Sequence, residues 1–287
     1  MRKYAVIDVG SNSVRLMFVA DGKVLYKTLS TTRLGEGIAQ TRTLLVEAMQ
    51  RTVLAITTFY GKAKADGAEQ VAVFATAAVR SAKNGNEFVQ AVKEHCGLDV
   101  DVIDGQTEAE IGAMGALGMG DGTIIDVGGA STEIAVRKDG KLIYKKSVDV
   151  GVVRLKDVCG RDIQALKRYG KDKTSAFTDA PILQDVYAIG GTATTLATQF
   201  LQLTEYNSNV VTGTRITLEN MRKLADKLSL LSVEETAKLP CMPTGRADVL
   251  LGGTVWLVTV MEELNIPAIV VSDRDNLEGY AQRKGWL

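Results

Sequence analysis

The chain has 287 residues, 46% hydrophobic and 24% charged, the composition of an ordinary globular protein of one large domain or two smaller ones. Its 34 basic and 34 acidic residues cancel, which argues against broad, non-specific nucleic-acid binding. The longest apolar stretch, 249–261, includes glycines and threonines, is too short for a bilayer, and reads as a buried helix, so no membrane partner is expected.

The sequence runs from Met1-Arg2-Lys3 straight into an apolar strand, so no secretory signal is expected. Cys96, Cys159 and Cys241 are widely spaced and read as reduced thiols of a cytoplasmic protein, not as a disulfide framework or zinc site. Residues 5–29, AVIDVGSNSVRLMFVADGKVLYKTL, predict a strand, a Gly/Ser loop, an alternating strand, a DG turn and a further strand. Helices are expected next: one in the Leu-, Val- and Ala-rich segment 41–65, and one over 86–96 with Gly97 as its C′ residue. Another opens at Thr107, where T-E-A-E (107–110) has the spacing of a capping box.

Residues 123–147, TIIDVGGASTEIAVRKDGKLIYKKS, then repeat the opening pattern. With an offset of 118 (126 − 8) and no gap, Asp8 falls on Asp126, Gly10 on Gly128, Ser13 on Ser131, and Asp21-Gly22 on Asp139-Gly140. A DG dipeptide between alternating runs is a strong hairpin signal, because a type I′ turn needs positive φ at both central positions. Two such hairpins in register behind the same Asp-Val-Gly point to an internal duplication. The expected division is a first lobe over 1–118 and a second over 119–276, with a C-terminal helix, 277–287, returning to the first. The glycine-rich run 118–122 between them suits a hinge. Within the second lobe, a strand is expected at 186–189, followed by Gly190-Gly191-Thr192 and a helix to about Leu203. Helices are expected over 217–232 and 246–263, and a buried strand over 266–271. Segment 161–179, polar and basic, reads as an exposed excursion.

An aspartate ending a buried strand before Gly and Ser has a chemical use. Glycine lets backbone amides approach phosphate oxygens, serine adds a donor, and the carboxylate can hold Mg²⁺, usually through water. Two such loops facing each other would cradle a polyanion; the plainer alternative is two tight turns whose aspartates cap backbone amides. Gly190-Gly191-Thr192 is either an anion nest at a helix start or a simple strand-to-helix turn.

The motifs DVGSNSVRL (8–16), TTRLGEGI (31–38), ATAAVRSAKNG (75–85), IDGQTEAEI (103–111), IIDVGGASTEI (124–134), VGVVRL (150–155), AIGGTATTLA (188–197) and RADVLLGG (246–253) together resemble the exopolyphosphatase and guanosine pentaphosphate phosphohydrolase family, in its short two-domain form. The resemblance implies an α/β fold of two ribonuclease-H-like lobes, of the actin, Hsp70 and sugar-kinase superfamily, with a cleft between them. It implies a hydrolase releasing terminal orthophosphate from inorganic polyphosphate, short chains favoured, or from pppGpp, with Mg²⁺ as cofactor. Glu108 would be the base that activates water and Arg80 a phosphate contact. Asp8, Asp126 and Glu133 would serve the metal. Gly10, Ser11, Asn12, Ser13, Arg33, Gly128, Gly129, Ser131, Thr132, Gly190, Gly191 and Thr192 would bind substrate. A homodimer is the candidate assembly. As the first residue of a capped helix, Glu108 would have its carboxylate stabilised by the helix dipole, which works against basicity. The chain departs from the family pattern at Ala130 and Asp275, where glycines are usual, at Asp104 in place of a serine, and at Leu277 in place of an arginine. A non-catalytic alarmone or polyphosphate sensor, or a small-molecule kinase of the same fold, are the competing readings. His95 has no partner pattern and is given no catalytic role.

Overall fold

A computed structural model describes residues 2–287. The first sheet contains β1 (Lys3–Val9), β2 (Ser13–Ala20), β3 (Lys23–Thr31), β4 (Gln70–Ala75) and β5 (Val100–Val102), in the order β3-β2-β1-β4-β5. The second contains β6 (Gly122–Val127), β7 (Thr132–Lys138), β8 (Lys141–Val148), β9 (Val186–Ile189), β10 (Arg215–Thr217) and β11 (Ala268–Val271), in the order β10-β11-β9-β6-β7-β8. In each, an antiparallel three-stranded meander continues into parallel strands through its first strand. This repeated order makes both lobes ribonuclease-H-like.

The duplication holds down to the register. Asp8 pairs with Arg15 and Asp126 with Glu133, the same offset of 118 on both strands. Register shifts fall at Phe18/Val19 and at Val136/Arg137, again equivalent positions. Both DG turns have the positive φ that a type I′ turn demands: 47° and 72° at Asp21 and Gly22, 52° and 70° at Asp139 and Gly140.

The central strands are apolar throughout because both faces of each sheet are covered. Side chains alternate between faces. Ile7 and Phe18 point into one core with Ile56, Phe59 and Phe88, while Val6 and Met17 join Phe74, Leu277 and Tyr280 on the other side. In the second lobe Ile125 and Ile134 pack with Trp256, whereas Ile124 and Ala135 meet Ala109 and Ala113. Between the sheets therefore lie two helices, Gly105–Leu117 against the second sheet and Asn276–Arg283 against the first. They approach so closely that a Cβ on Gly115 would stand 1.9 Å from the Asp275 carbonyl oxygen, and one on Gly279 1.7 Å from that of Ile111.

Several expected elements shift. The helix expected within 41–65 is Val46–Ala65, because Arg42 is left-handed (φ 53°) and the Asn84 side chain holds both the amide and carbonyl of Leu44. The helix expected from Thr107 starts at Gly105, and its cap is Asp104, whose carboxylate accepts from the Thr107 amide at 2.7 Å. The expected 217–232 helix is Leu218–Ser229, and a separate helix, Val233–Ala237, follows with a capping box at Ser232. Segment 161–179 is not an exposed excursion: Asp162 caps a helix over Ile163–Thr174, Leu166 and Phe177 are buried, and Gly170 packs on Trp256. The 249–261 run lies buried within helix Ala247–Glu263. No helix among the described residues is long and apolar enough to cross a membrane.

Candidate active site in the cleft

The loop after β1 and the loop after β6 meet face to face. A Cβ on Gly129 would come within 2.7 Å of the Ser11 Cβ. Each loop is closed by the same backbone bond, Gly10 amide to Ser13 carbonyl and Gly128 amide to Ser131 carbonyl, both 3.0 Å. The two line one side of a cleft of about 1400 Å³, to which Asp8, Gly10, Ser11, Asn12, Ser13, Glu108, Asp126, Gly128, Gly129, Ser131, Gly190 and Gly191 all contribute. Gly190 has φ of 78°, and a Cβ there would stand 2.5 Å from Asp126 Oδ1, so backbone and space both require glycine.

Four acids converge beside these loops: Asp8, Asp126, Glu108 and Glu133, each at most 7% exposed. Burial raises the Glu108 carboxyl to about 7, although the Arg80 guanidinium beside it pulls the other way and the charges of Asp126 and Asp8 add to the rise. Arg80 Nη1 donates to Glu108 Oε2 at 3.0 Å and to the Ile103 carbonyl at 2.8 Å. Asp126 is also pushed up to about 7, by burial and then by Asp275, while the Asn276 side-chain amide donates to its Oδ2 at 3.0 Å. Burial, with Glu108 and Asp126 nearby, holds Glu133 well above the usual carboxylate range; the Ser147 hydroxyl donates to its Oε1 at 2.6 Å. The dipole effect expected at Glu108 is overridden. The residue sits in the fourth helical position, not the first, and desolvation dominates.

Asp8 is raised by burial despite Arg15, whose Nε and Nη2 both donate to its Oδ2, at 2.9 and 2.5 Å. Arg15 also pairs with Asp275 through Nη1. Asp275 would be raised by burial, but Arg15 and Lys27 lower it. That leaves Asp8 Oδ1 and Glu133 Oε2 buried without a partner. Among the described residues no three His, Cys, Asp or Glu side chains group as a metal site. Mg²⁺ held together with phosphate needs only one or two protein carboxylates, its remaining positions being water and substrate oxygen. The free oxygen of Asp8 at the cleft, with Asp126 across it, fits that kind of binding.

Other expected residues stand off the cleft. Thr132 is buried, its hydroxyl donating to the Val150 carbonyl at 2.6 Å and accepting from Trp256 Nε1 at 2.8 Å. The Thr192 hydroxyl donates to the Val127 carbonyl at 2.9 Å. Arg33 reaches across to Asp248 at 3.1 Å. Arg80 meets the cleft only through Glu108, and Glu133 lies behind it, held by the Ser147 hydroxyl. Asp104, which departs from the family's usual serine, is engaged as a helix cap and its carboxyl is lowered, first by the Thr107 amide. Conversely, Arg15, Arg246 and Asn276 line the cleft without having been singled out as site residues. Arg246 lies over Gly191, 2.5 Å from where a Cβ would be, and burial and then Arg15 lower it to about 10. The signal for Arg246 was present in the RADVLLGG motif; nothing local marked Asn276.

The chain is similar to known proteins over nearly its whole length. The model of the Ppx/GppA phosphatase family matches residues 8–284. The chain is 28% identical to "Exopolyphosphatase 2" of Mycobacterium tuberculosis, over 98% of each chain. It is 29% identical to the "Guanosine-5'-triphosphate,3'-diphosphate pyrophosphatase" of Vibrio cholerae, covering 98% of this chain but 58% of that one. A crystal structure of the Aquifex aeolicus member of the Ppx/GppA family superposes with a TM-score of 0.80 at 27% identity, covering 99% of this chain and 97% of that one.

Proposed function

The chain belongs to the Ppx/GppA phosphatase family, and from that premise we propose that it is a Mg²⁺-dependent phosphohydrolase. It releases terminal orthophosphate from inorganic polyphosphate, short chains favoured, or from pppGpp. The observation that carries the reading is the buried Glu108 carboxyl, paired with Arg80, at the wall of a cleft floored by two facing Asp-Val-Gly loops.

A general base works best when its pKa lies near the operating pH, and Glu108 at about 7 meets that condition. It accepts a proton from the attacking water. Arg80, 3.0 Å away on the far side of Glu108, keeps the ionised carboxylate paired, and a turn of its side chain toward the cleft would bring its remaining donors to the transferring phosphoryl group. An arginine in that position contributes about three to five orders of magnitude in related phosphoryl transfers. The amides of both loops, with Ser11, Ser13 and Ser131, orient the phosphate chain. Asp8 and Asp126 would hold Mg²⁺, with Glu133 behind them; when bound, the ion would neutralise charge on phosphate oxygens. Gly190, Gly191 and Arg246 extend the anion-binding wall, while Thr132 and Thr192 fix the loop backbones that do the binding.

The test is phosphate release in Mg²⁺ from polyphosphates of defined length, pppGpp, ATP and GTP. Release from polyphosphate or pppGpp, with ATP and GTP much slower, is the expected result. Tight binding of those ligands with no release would replace the hydrolase by a sensor.

A further inference from the structure

Behind the Arg80–Glu108 pair lies a second cavity, of about 480 Å³, which the proposed hydrolysis leaves unused. One wall carries Arg80, Gly105 and Gln106; the other carries Lys146, Ser147 and Asp149. Glu108 faces the main cleft and Arg80 faces this cavity, so a single hydrogen-bonded pair separates the two spaces. Ser147 turns one side to the cavity while its hydroxyl holds Glu133. The partition is one layer of side chains thick.

The chemistry gives this thinness a meaning, on the premise of the hydrolysis proposed above. In-line attack places the water on the side of phosphorus opposite the leaving group. The water oxygen bonds to phosphorus, the bridging P–O bond breaks, and its electron pair stays on the oxygen that now ends the shortened chain. The proton goes to Glu108. The new orthophosphate is then formed against the Arg80–Glu108 wall, and the remaining polyanion stands between it and the cleft mouth.

We propose that the second cavity is the exit port for orthophosphate, gated by the Arg80 side chain. Arg80 is 24% exposed where Glu108 is 7%, so it already reaches the cavity and can turn outward with the anion. Lys146, 40% exposed at the rim and 3.3 Å from Asp179, supplies a second cation on the way out. Of the cavity's two acids, Asp104 is held by the Thr107 amide, and Asp149 is 71% exposed and 4.0 Å from Arg154. Gly105 sets the width: a Cβ there would stand 2.5 Å from that of Ser147.

The test compares wild type with Gln106→Trp, which fills the port, and Lys146→Glu, which reverses charge at its rim. Rapid-quench and steady-state assays are run with Mg²⁺ and a linear polyphosphate of defined length. The first bond cleavage should stay within about twofold of wild type, while steady-state kcat falls about fivefold or more and a burst of about one phosphate per site appears, as release becomes limiting. Unchanged kcat in both variants of an active enzyme overturns the port alone, as does an equal loss in the first turnover. A wild type that releases no phosphate removes the hydrolase reading and the port with it.

Discussion

Glu108 shows how one residue's chemistry can be misjudged from its neighbours in sequence. Local pattern made it an acid beside a helix N-terminus, whose dipole would favour ionisation. Burial, with the charges of Asp126 and Asp8 adding to it, reverses that and brings it to about 7. As a base it must be ionised, so phosphate release should rise with pH through about 7 and plateau above. Removing Arg80, which lowers Glu108, should move that limb to higher pH in Arg80→Ala, alongside a large drop in rate; a pH–rate profile checks both. The same burial couples the site to stability. Glu108 and Asp126 rise from 4.5 and 3.8 to about 7, so between those values the folded state holds protons that the unfolded chain has released. Stability without metal should therefore fall as pH rises from about 4 to 7. In chelator, Tm should be higher at pH 5 than at pH 8, and Asp126→Asn should flatten that difference.

At the scale of elements, most strands and helices could be read from period and turn chemistry, and the misses share one cause. Helix Ile163–Thr174 presents only Leu166, Gly170 and Thr174 as buried positions, and its partner Trp256 lies far along the chain. No local hydrophobic pattern announces a face made of so few groups. The helix at Asp104 was placed late because Thr107 carries a capping sequence of its own; the geometry gives the role to Asp104. Asp104→Ala should cost about 1 kcal/mol in a denaturant titration. The crossing of helices Gly105–Leu117 and Asn276–Arg283 is less forgiving. A methyl at Gly279 would collide with the Ile111 backbone, which cannot give as a side chain can. Gly279→Ala should therefore cost about 3 kcal/mol or more. Gly118→Ala, with open space around it, should cost what its backbone demands: φ of 58° with ψ of −113° lies outside even the left-handed helical region, a strain of about 1–3 kcal/mol.

At the scale of the whole molecule, the two-lobed plan was legible because the chain repeats itself, and the facing loops were legible because the repeats carry the same Asp-Val-Gly. The contacts joining the lobes were not. Arg15 with Asp275, Lys27 with the Asp273 carbonyl at 2.6 Å, Thr31 with the Thr244 carbonyl at 2.7 Å and Arg154 with Ser81 at 3.0 Å join residues with no local signature of their pairing. The departure at Asp275 takes on physical content there, since it caps a helix and holds an arginine of the opposite lobe. The account stands on hydrolysis in this cleft with Glu108 as base. Its most direct test is phosphate release by wild type and Glu108→Gln in Mg²⁺, with ligand binding measured in parallel. Release should fall by about 10³-fold or more in the variant while affinity for polyphosphate stays within a few fold. Wild-type turnover by Glu108→Gln would contradict it.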